Sequence, residues 1–346
     1  MSADDGSLGR ALVTKASVAT LRRSILARVS RSFYLSIRLL PKKLRDPVSL
    51  GYLLARASDT IADTTDLPIE LRTEKLQLLT RGIQGEALGS AIDDLSAAIA
   101  PLQKDKAERA LIESLQSCLD WLDQSEVEDR EDVRATLAVI NRGQLLDLER
   151  FPDPKQIVAL KTAAELDEYT YLVAGSAGEF WTRLCFRHLP KFTSRSETEM
   201  LGLAKRYGQG LQLINILRDA GPDLRAGRCY FPDDELYTTA MGPSQILREP
   251  ERFLPIYRKW REKAEKGIAD GIKYADAIRN RRVRIATALP ALIGGRTLGL
   301  LRGAGATVLR RHIKVPRKEV RSIVTSLMFS LGSRSRINSL YRELST

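Results

Sequence analysis

A chain of 346 residues with 43% hydrophobic and 28% charged side chains has the balance of a folded protein with a sizeable core. Three cysteines (Cys118, Cys185, Cys229) and two histidines (His188, His312) exclude a disulfide framework, a C-x-x-C metal pair and histidine-rich zinc chemistry. A net charge of +12 and a pI near 9.7 favour an anionic partner, whether nucleic acid, an acidic membrane surface or a phosphorylated substrate, although a solvated basic surface accounts for them as well.

Residues 1–9 read as a frayed, flexible N-terminus, and residues 10–346 as a single domain. Helical periodicity predicts helices over 21–40, 47–64, 69–85, 107–121, 132–151, 165–188, 197–219, 244–277, 283–301 and 317–331. Pro41, Pro68, Pro101, Pro154, Pro190 and Pro232 fall between these segments, where helix punctuation belongs. The only strand-like fragment is RCYF at 228–231. The expectation is an all-α fold of roughly ten helices with no internal repeat. No N-terminal run resembles a signal peptide, and no stretch approaches the roughly 20 apolar residues that span a bilayer. With its sparse cysteines, the protein is expected in the cytoplasm, at most peripheral to a membrane.

Two helices carry their polarity in an unusual way. Tyr52, Arg56, Asp59 and Asp63 fall at i, i+4, i+7 and i+11, on one stripe of a helix otherwise made of Leu50, Leu53, Leu54, Ala55, Ala57 and Ile61. In the second, Gln212, Asn215 and Asp219 share a stripe among Leu211, Leu213, Ile214, Ile216 and Leu217, and Asp223 follows one turn later. A surface helix shows a broader polar face. Carboxylates set into apolar helices are costly unless something neutralises them. Divalent cations do so, and carboxylate oxygens suit Mg2+, which keeps several waters and bridges to phosphates. Asp59, Asp63, Asp219, Asp223 and Asn215 are therefore candidate Mg2+ ligands, and a diphosphate is the natural third party. Arg31, Arg56, Arg218 and Arg228 lie near these stripes and can complement phosphate oxygens.

Four segments, SRSFYLSIRLLP (30–41), YLLARASDTIADT (52–64), YTYLVAGSAG (169–178) and QLINILRDAGPDLRAGRCYFP (212–232), resemble the squalene/phytoene synthase family of head-to-head prenyl transferases in order and spacing. The resemblance implies that two prenyl diphosphates bind in one central cavity of an isoprenoid-synthase-type helical bundle. One ionises with Mg2+ assistance, and a cyclopropyl diphosphate forms and rearranges. In squalene synthases NADPH then delivers hydride. By motif match Tyr169 is the base for cyclopropane closure. Ser32, Tyr52 and Gln212 join the four arginines around diphosphate. The resemblance places Arg31, Ser32, Arg56, Asn215 and Arg218, together with Lys314 and Arg317 of KVPRK (314–318), near NADPH; a charged turn explains KVPRK as well. GAGATV at 303–308 lacks a third glycine and a preceding strand, so it is no dinucleotide fingerprint. A hydrocarbon product implies peripheral membrane contact.

Two positions depart from the family pattern. Ala62 and Pro222 stand where an acidic residue often precedes the second aspartate. Pro222 is expected to end or kink its helix, so that Asp223 does not stack cleanly over Asp219. The leading expectation is a squalene synthase joining two farnesyl diphosphates, as a monomer or weak oligomer. Phytoene, dehydrosqualene and presqualene diphosphate synthases share its first steps. A non-catalytic helical assembly factor would have no need of the four aspartates. A nucleic-acid binder is not expected: the basic clusters at 279–284 and 310–321 lack interleaved aromatics.

Overall fold

The computed structural model describes residues 15–30 and 32–345. The tail expected at 1–9, Arg31 and the Ser32 side chain lie outside the described residues. The described chain is almost wholly helical, as its periodicity implies. Where boundaries differ, the causes are local. The helix expected over 21–40 is divided: helical turns run from Lys15 to Val29 and resume at Ser32–Leu39. Before the break the Ser30 hydroxyl donates 2.5 Å to the Leu26 carbonyl, the backbone competition characteristic of serine. The segment expected at 107–121 forms two helices, Lys106–Ile112 and Leu115–Asp123. Ala91–Ile99 and Arg334–Ser345 are helices that periodicity alone does not flag, the first short and the second mostly polar.

The described residues form two compact units, one of 15–30 and 49–137 and the other of 32–48 and 138–345. The boundaries at 48/49 and 137/138 fall inside the helices Lys42–Ala62 and Val127–Arg150. In the first unit the apolar faces are fully inward: Leu50, Leu53, Leu54, Ala57 and Ile61 are all 0% exposed. Their stripe of polar neighbours is thus the minority face of a buried helix.

The second unit is built on the Glu197–Arg225 helix. It packs against Pro250–Ala277, Ser176–His188 and Arg281–Ala304. Glycines set the closest crossings. A Cβ at Gly208 would lie 2.3 Å from the Ala174 carbonyl oxygen, and one at Gly178 would lie 2.3 Å from that of Ala204. The AGSAG segment therefore lets its helix sit backbone to backbone on Glu197–Arg225. Between Ala163–Thr170 and Ser176–His188 the helix widens into a π-type turn at Tyr171–Gly175, an insertion often found beside functional sites.

The Glu197–Arg225 helix does not end at Gly221. It continues through Pro222 to Arg225, so Asp223 sits one regular turn beyond Asp219. Part of a proline's cost to a helix is the clash of its ring with the N–H and Cβ of the residue before it, and Gly221 has no Cβ; Pro222 also stands in the last turn, where few bonds remain to be lost. The same glycine receives the Leu309 carbonyl, which a Cβ would approach to 2.1 Å. The strand Arg228–Pro232 follows at once. It pairs in parallel with Val158–Leu160, a partner too short for its sequence to announce.

Candidate functional site

The first polar stripe lies on the Lys42–Ala62 helix. The Tyr52 hydroxyl donates 3.3 Å to the Val29 carbonyl. Arg56 donates 3.1 Å to Asp59 and also pairs with Glu108 of the Lys106–Ile112 helix. Burial works against the Arg56 charge, but the two carboxylates outweigh it and raise the guanidinium above its ordinary pKa. Asp63 lies just past the helix end, exposed, with its amide still bonded to the Asp59 carbonyl at 2.9 Å. Ala62 is buried, at 5% exposure, so a carboxylate there would be withdrawn from water.

The second stripe lies on Glu197–Arg225. Gln212 accepts 3.3 Å from Asn215, which is exposed. Arg218 forks across Asp219, at 3.0 and 2.5 Å. His312 Nδ1 stands 3.6 Å from the same carboxylate. That contact brings the late segment carrying Lys314 and Arg317, both exposed, close to the second motif. Asp223 accepts 2.9 Å from Arg228.

Arg228 leads from the aspartates to Tyr169. Tyr230 follows two residues later on the Arg228–Pro232 strand, close enough for the Arg228 charge to act on its phenol. Tyr230 stacks on Tyr169, with centroids 5.0 Å apart and planes at 23°, and Phe151 meets its edge at 5.2 Å. Burial pushes the Tyr230 phenol well above its ordinary pKa, and Tyr169 and Asp147 add to the shift. Tyr230 therefore stays protonated, and its hydroxyl lies 2.9 and 3.0 Å from the two Asp147 oxygens. A phenol that gives its one hydrogen to Asp147 offers only lone pairs to Tyr169, whose hydroxyl donates to it across 3.5 Å. That distance is at the long limit of a hydrogen bond.

Within the second unit, then, Asp219, Asp223, Arg218, Arg228 and Tyr169 gather around one strand and one helix end. Asp59, Asp63, Arg56 and Tyr52 form a separate constellation within the first. Asp147, His312 and Glu108 are partners that lie outside the four segments, and Tyr230 lies within the fourth without having been singled out there. Asp147 carried the same signal as the stripes, a carboxylate among Leu145, Leu146 and Leu148.

Among the described residues no three His, Cys, Asp or Glu side chains form a closed metal cage. Each motif instead offers two carboxylates one helical turn apart. This donor set fits Mg2+, which binds through one or two carboxylates plus substrate phosphates. Among the described residues, no helix is long and apolar enough to cross a membrane.

Residues 26–319 match the squalene/phytoene synthase family. A presqualene diphosphate synthase of Rhodopseudomonas palustris is 26% identical over 296 residues, covering 84% of this chain and 88% of its own. A bifunctional lycopene cyclase/phytoene synthase of Arthroderma gypseum is 27% identical over 252 residues, covering 70% of this chain; the matched region spans 40% of that longer protein. In fold, a ligand complex of TcSQS superposes with a TM-score of 0.71 at 20% identity, covering 95% of this chain and 97% of the other. With a family match over most of its length and the family's all-α fold, the chain belongs to the squalene/phytoene synthases, a family of prenyltransferase-type enzymes.

Proposed function

We propose that this protein joins two farnesyl diphosphates head to head through presqualene diphosphate and, with NADPH, carries the product on to squalene. The observation that carries the reading is the convergence of Asp223, Arg228, Tyr230 and Tyr169, which sets a diphosphate-binding motif beside a proton acceptor.

Asp59 and Asp63 on one helix, and Asp219 and Asp223 with Asn215 on the other, would hold Mg2+. When bound, Mg2+ neutralises the charge of a departing diphosphate. Arg56, Arg218 and Arg228 pair with Asp59, Asp219 and Asp223. On loading, these guanidiniums turn to the phosphate oxygens, bidentate donors matched to that geometry. The apolar side chains around each stripe keep water from the allylic cation.

Cyclopropane closure releases a proton from carbon. Tyr169 Oη accepts it while its own hydrogen passes to Tyr230 Oη, and the Tyr230 hydrogen passes to Asp147. The relay leaves both phenols neutral and the carboxylate protonated. Lys314 and Arg317, exposed beside the His312 contact, would hold the phosphates of NADPH. NADPH supplies the hydride that quenches the final cation.

A second reading, in which the chain stops at presqualene diphosphate, is favoured by the Rhodopseudomonas palustris relative, which aligns over nearly the whole of both chains. The test is to incubate the protein with Mg2+ and farnesyl diphosphate, with and without NADPH, and to separate the lipids by mass. Squalene that forms only with NADPH supports the leading reading. Presqualene diphosphate in both tubes supports the second. No thirty-carbon product, but turnover of the twenty-carbon diphosphate, would replace both with phytoene synthesis.

A further inference from the structure

Away from the candidate site, the second unit carries a group of exposed apolar side chains ringed by arginines. The Arg317–Phe329 helix ends in a turn that leaves Phe329 86% and Leu331 61% exposed. Side chains of this size, clustered in water, mark a surface made to be covered. The turn is not slack. Leu331 is held at φ +48°, a backbone region that bulky residues rarely adopt, and Gly332 follows at +66°.

The Leu331 and Gly332 amides close the turn on the Met328 and Leu327 carbonyls, at 3.1 and 3.0 Å, and two contacts from outside it add to these. Gly332 lies against Ile285, where a Cβ would come within 2.7 Å. Its carbonyl accepts 2.9 Å from Arg284, a buried guanidinium that also bonds the Ile278 carbonyl at 3.0 and 2.7 Å. The strained turn is thus clamped so that its apolar side chains face outward.

Beside it runs a groove of about 400 Å³, with Met328 and Leu331 on its apolar wall and Arg38, Arg281 and Arg282 around it. The three arginines are exposed and have no carboxylate partner among the described residues. Leu35, one turn before Arg38, is 41% exposed and extends the apolar stripe of its helix.

We propose that this face docks on a bilayer containing anionic phospholipid. Phe329 and Leu331 enter the boundary between headgroups and acyl chains, and Arg38, Arg281 and Arg282 take lipid phosphates. Protruding apolar side chains within a basic ring suit an interface that can flow around them. A second copy fits poorly, because a two-fold contact would set three arginines against three. The face includes none of the aspartates and takes no part in the proposed reaction.

The test is co-sedimentation of the full chain with vesicles of phosphatidylcholine alone and mixed with phosphatidylglycerol. The wild type should bind the mixed vesicles, release with salt and bind neutral vesicles weakly. Arg281→Gln with Arg282→Gln should lower the partition by roughly thirtyfold, at ~1 kcal/mol per arginine. Phe329→Ser with Leu331→Ser should abolish it. Arg248→Gln with Arg258→Gln removes equal charge from exposed positions elsewhere and should leave binding intact. The proposal falls if the wild type ignores both vesicles, if the serine pair binds like wild type, or if the control pair loses as much as Arg281 and Arg282. Self-association that the serine pair abolishes, without vesicle binding, would overturn it in favour of a second copy. Product formation in detergent reads the proposed reaction separately, so either reading can fail alone.

Discussion

Replacing Asp147 by asparagine removes a charge from the end of the tyrosine pair while nearly keeping its shape. The Tyr230 side chain is 7% exposed, and its hydroxyl lies 2.9 and 3.0 Å from the carboxylate oxygens. A hydrogen bond to an ionised partner contributes about 1.5–3 kcal/mol net, and one between neutral groups about 0.5–1.5. Asparagine still offers an acceptor, so stability should fall by only about 1 kcal/mol, the difference between the two. Turnover should fall much further, because an amide oxygen takes a proton poorly. With positioned acid–base groups contributing about 100- to 10,000-fold, kcat should drop at least 100-fold with KM little changed. Asp147→Leu leaves the buried hydroxyl without that acceptor and should cost about 1–3 kcal/mol of stability, with a kcat loss no larger than asparagine's. The assay is steady-state product formation over a range of substrate concentrations, beside urea unfolding of the same samples. Wild-type kcat in Asp147→Asn, or kcat and stability falling in parallel across the two variants, would refute the relay.

Asp59→Asn should barely change stability, since the Arg56–Asp59 pair is about a third exposed and such pairs contribute about 0–1 kcal/mol. Turnover with farnesyl diphosphate should nevertheless fall by about 100-fold or more, and its survival would remove Asp59 from the site. Gly208→Ala pushes a methyl to 2.3 Å from the Ala174 carbonyl and should destabilise by about 1–3 kcal/mol in urea. Gly303→Ala, which meets nothing within 4 Å, is the control and should gain about 0.5–1 kcal/mol. Burial pushes the Cys118 and Cys229 thiols up to about 12 and raises that of Cys185 further, so a thiol reagent should label none of them at neutral pH until the protein unfolds. These raised values also set a direction with pH: their contribution to stability is whole below the ordinary thiol value of 9.0 and is lost as pH rises through the folded values. Urea midpoints that stay level between those limits would contradict it.

Most of the helical fold was legible because buried helices leave a 3.6-residue trace, and the two stripes stood out as polar faces too narrow for water. Boundaries were less legible where one side chain or one missing Cβ decides them. Ser30 breaks a run that looks continuous, and Gly221 lets a helix pass a proline that ought to stop it. The Val158–Leu160 strand has three residues and no period to display. Tyr169 could be singled out by its motif, and Tyr230 stands in another of the quoted segments, but nothing local pairs the two or points to Asp147. Tyr230 and Asp147 reach it from positions 61 and 22 residues away in sequence, through a strand register and a helix packing that no local pattern encodes.

The arginine–aspartate forks bear on the order in which a site of this kind fills. A bare cation reaching Asp219 must displace Arg218 and strand its positive charge, and a bare anion reaching Arg218 strands Asp219 in the same way. A neutral ion pair exchanges partners with both and leaves no charge uncompensated. Affinity for each ion is then conditional on the other, and by linkage the enhancement is equal in both directions. Free Mg2+ in the cell would be bound only weakly, and the site would hold its metal chiefly when there is a diphosphate to cleave.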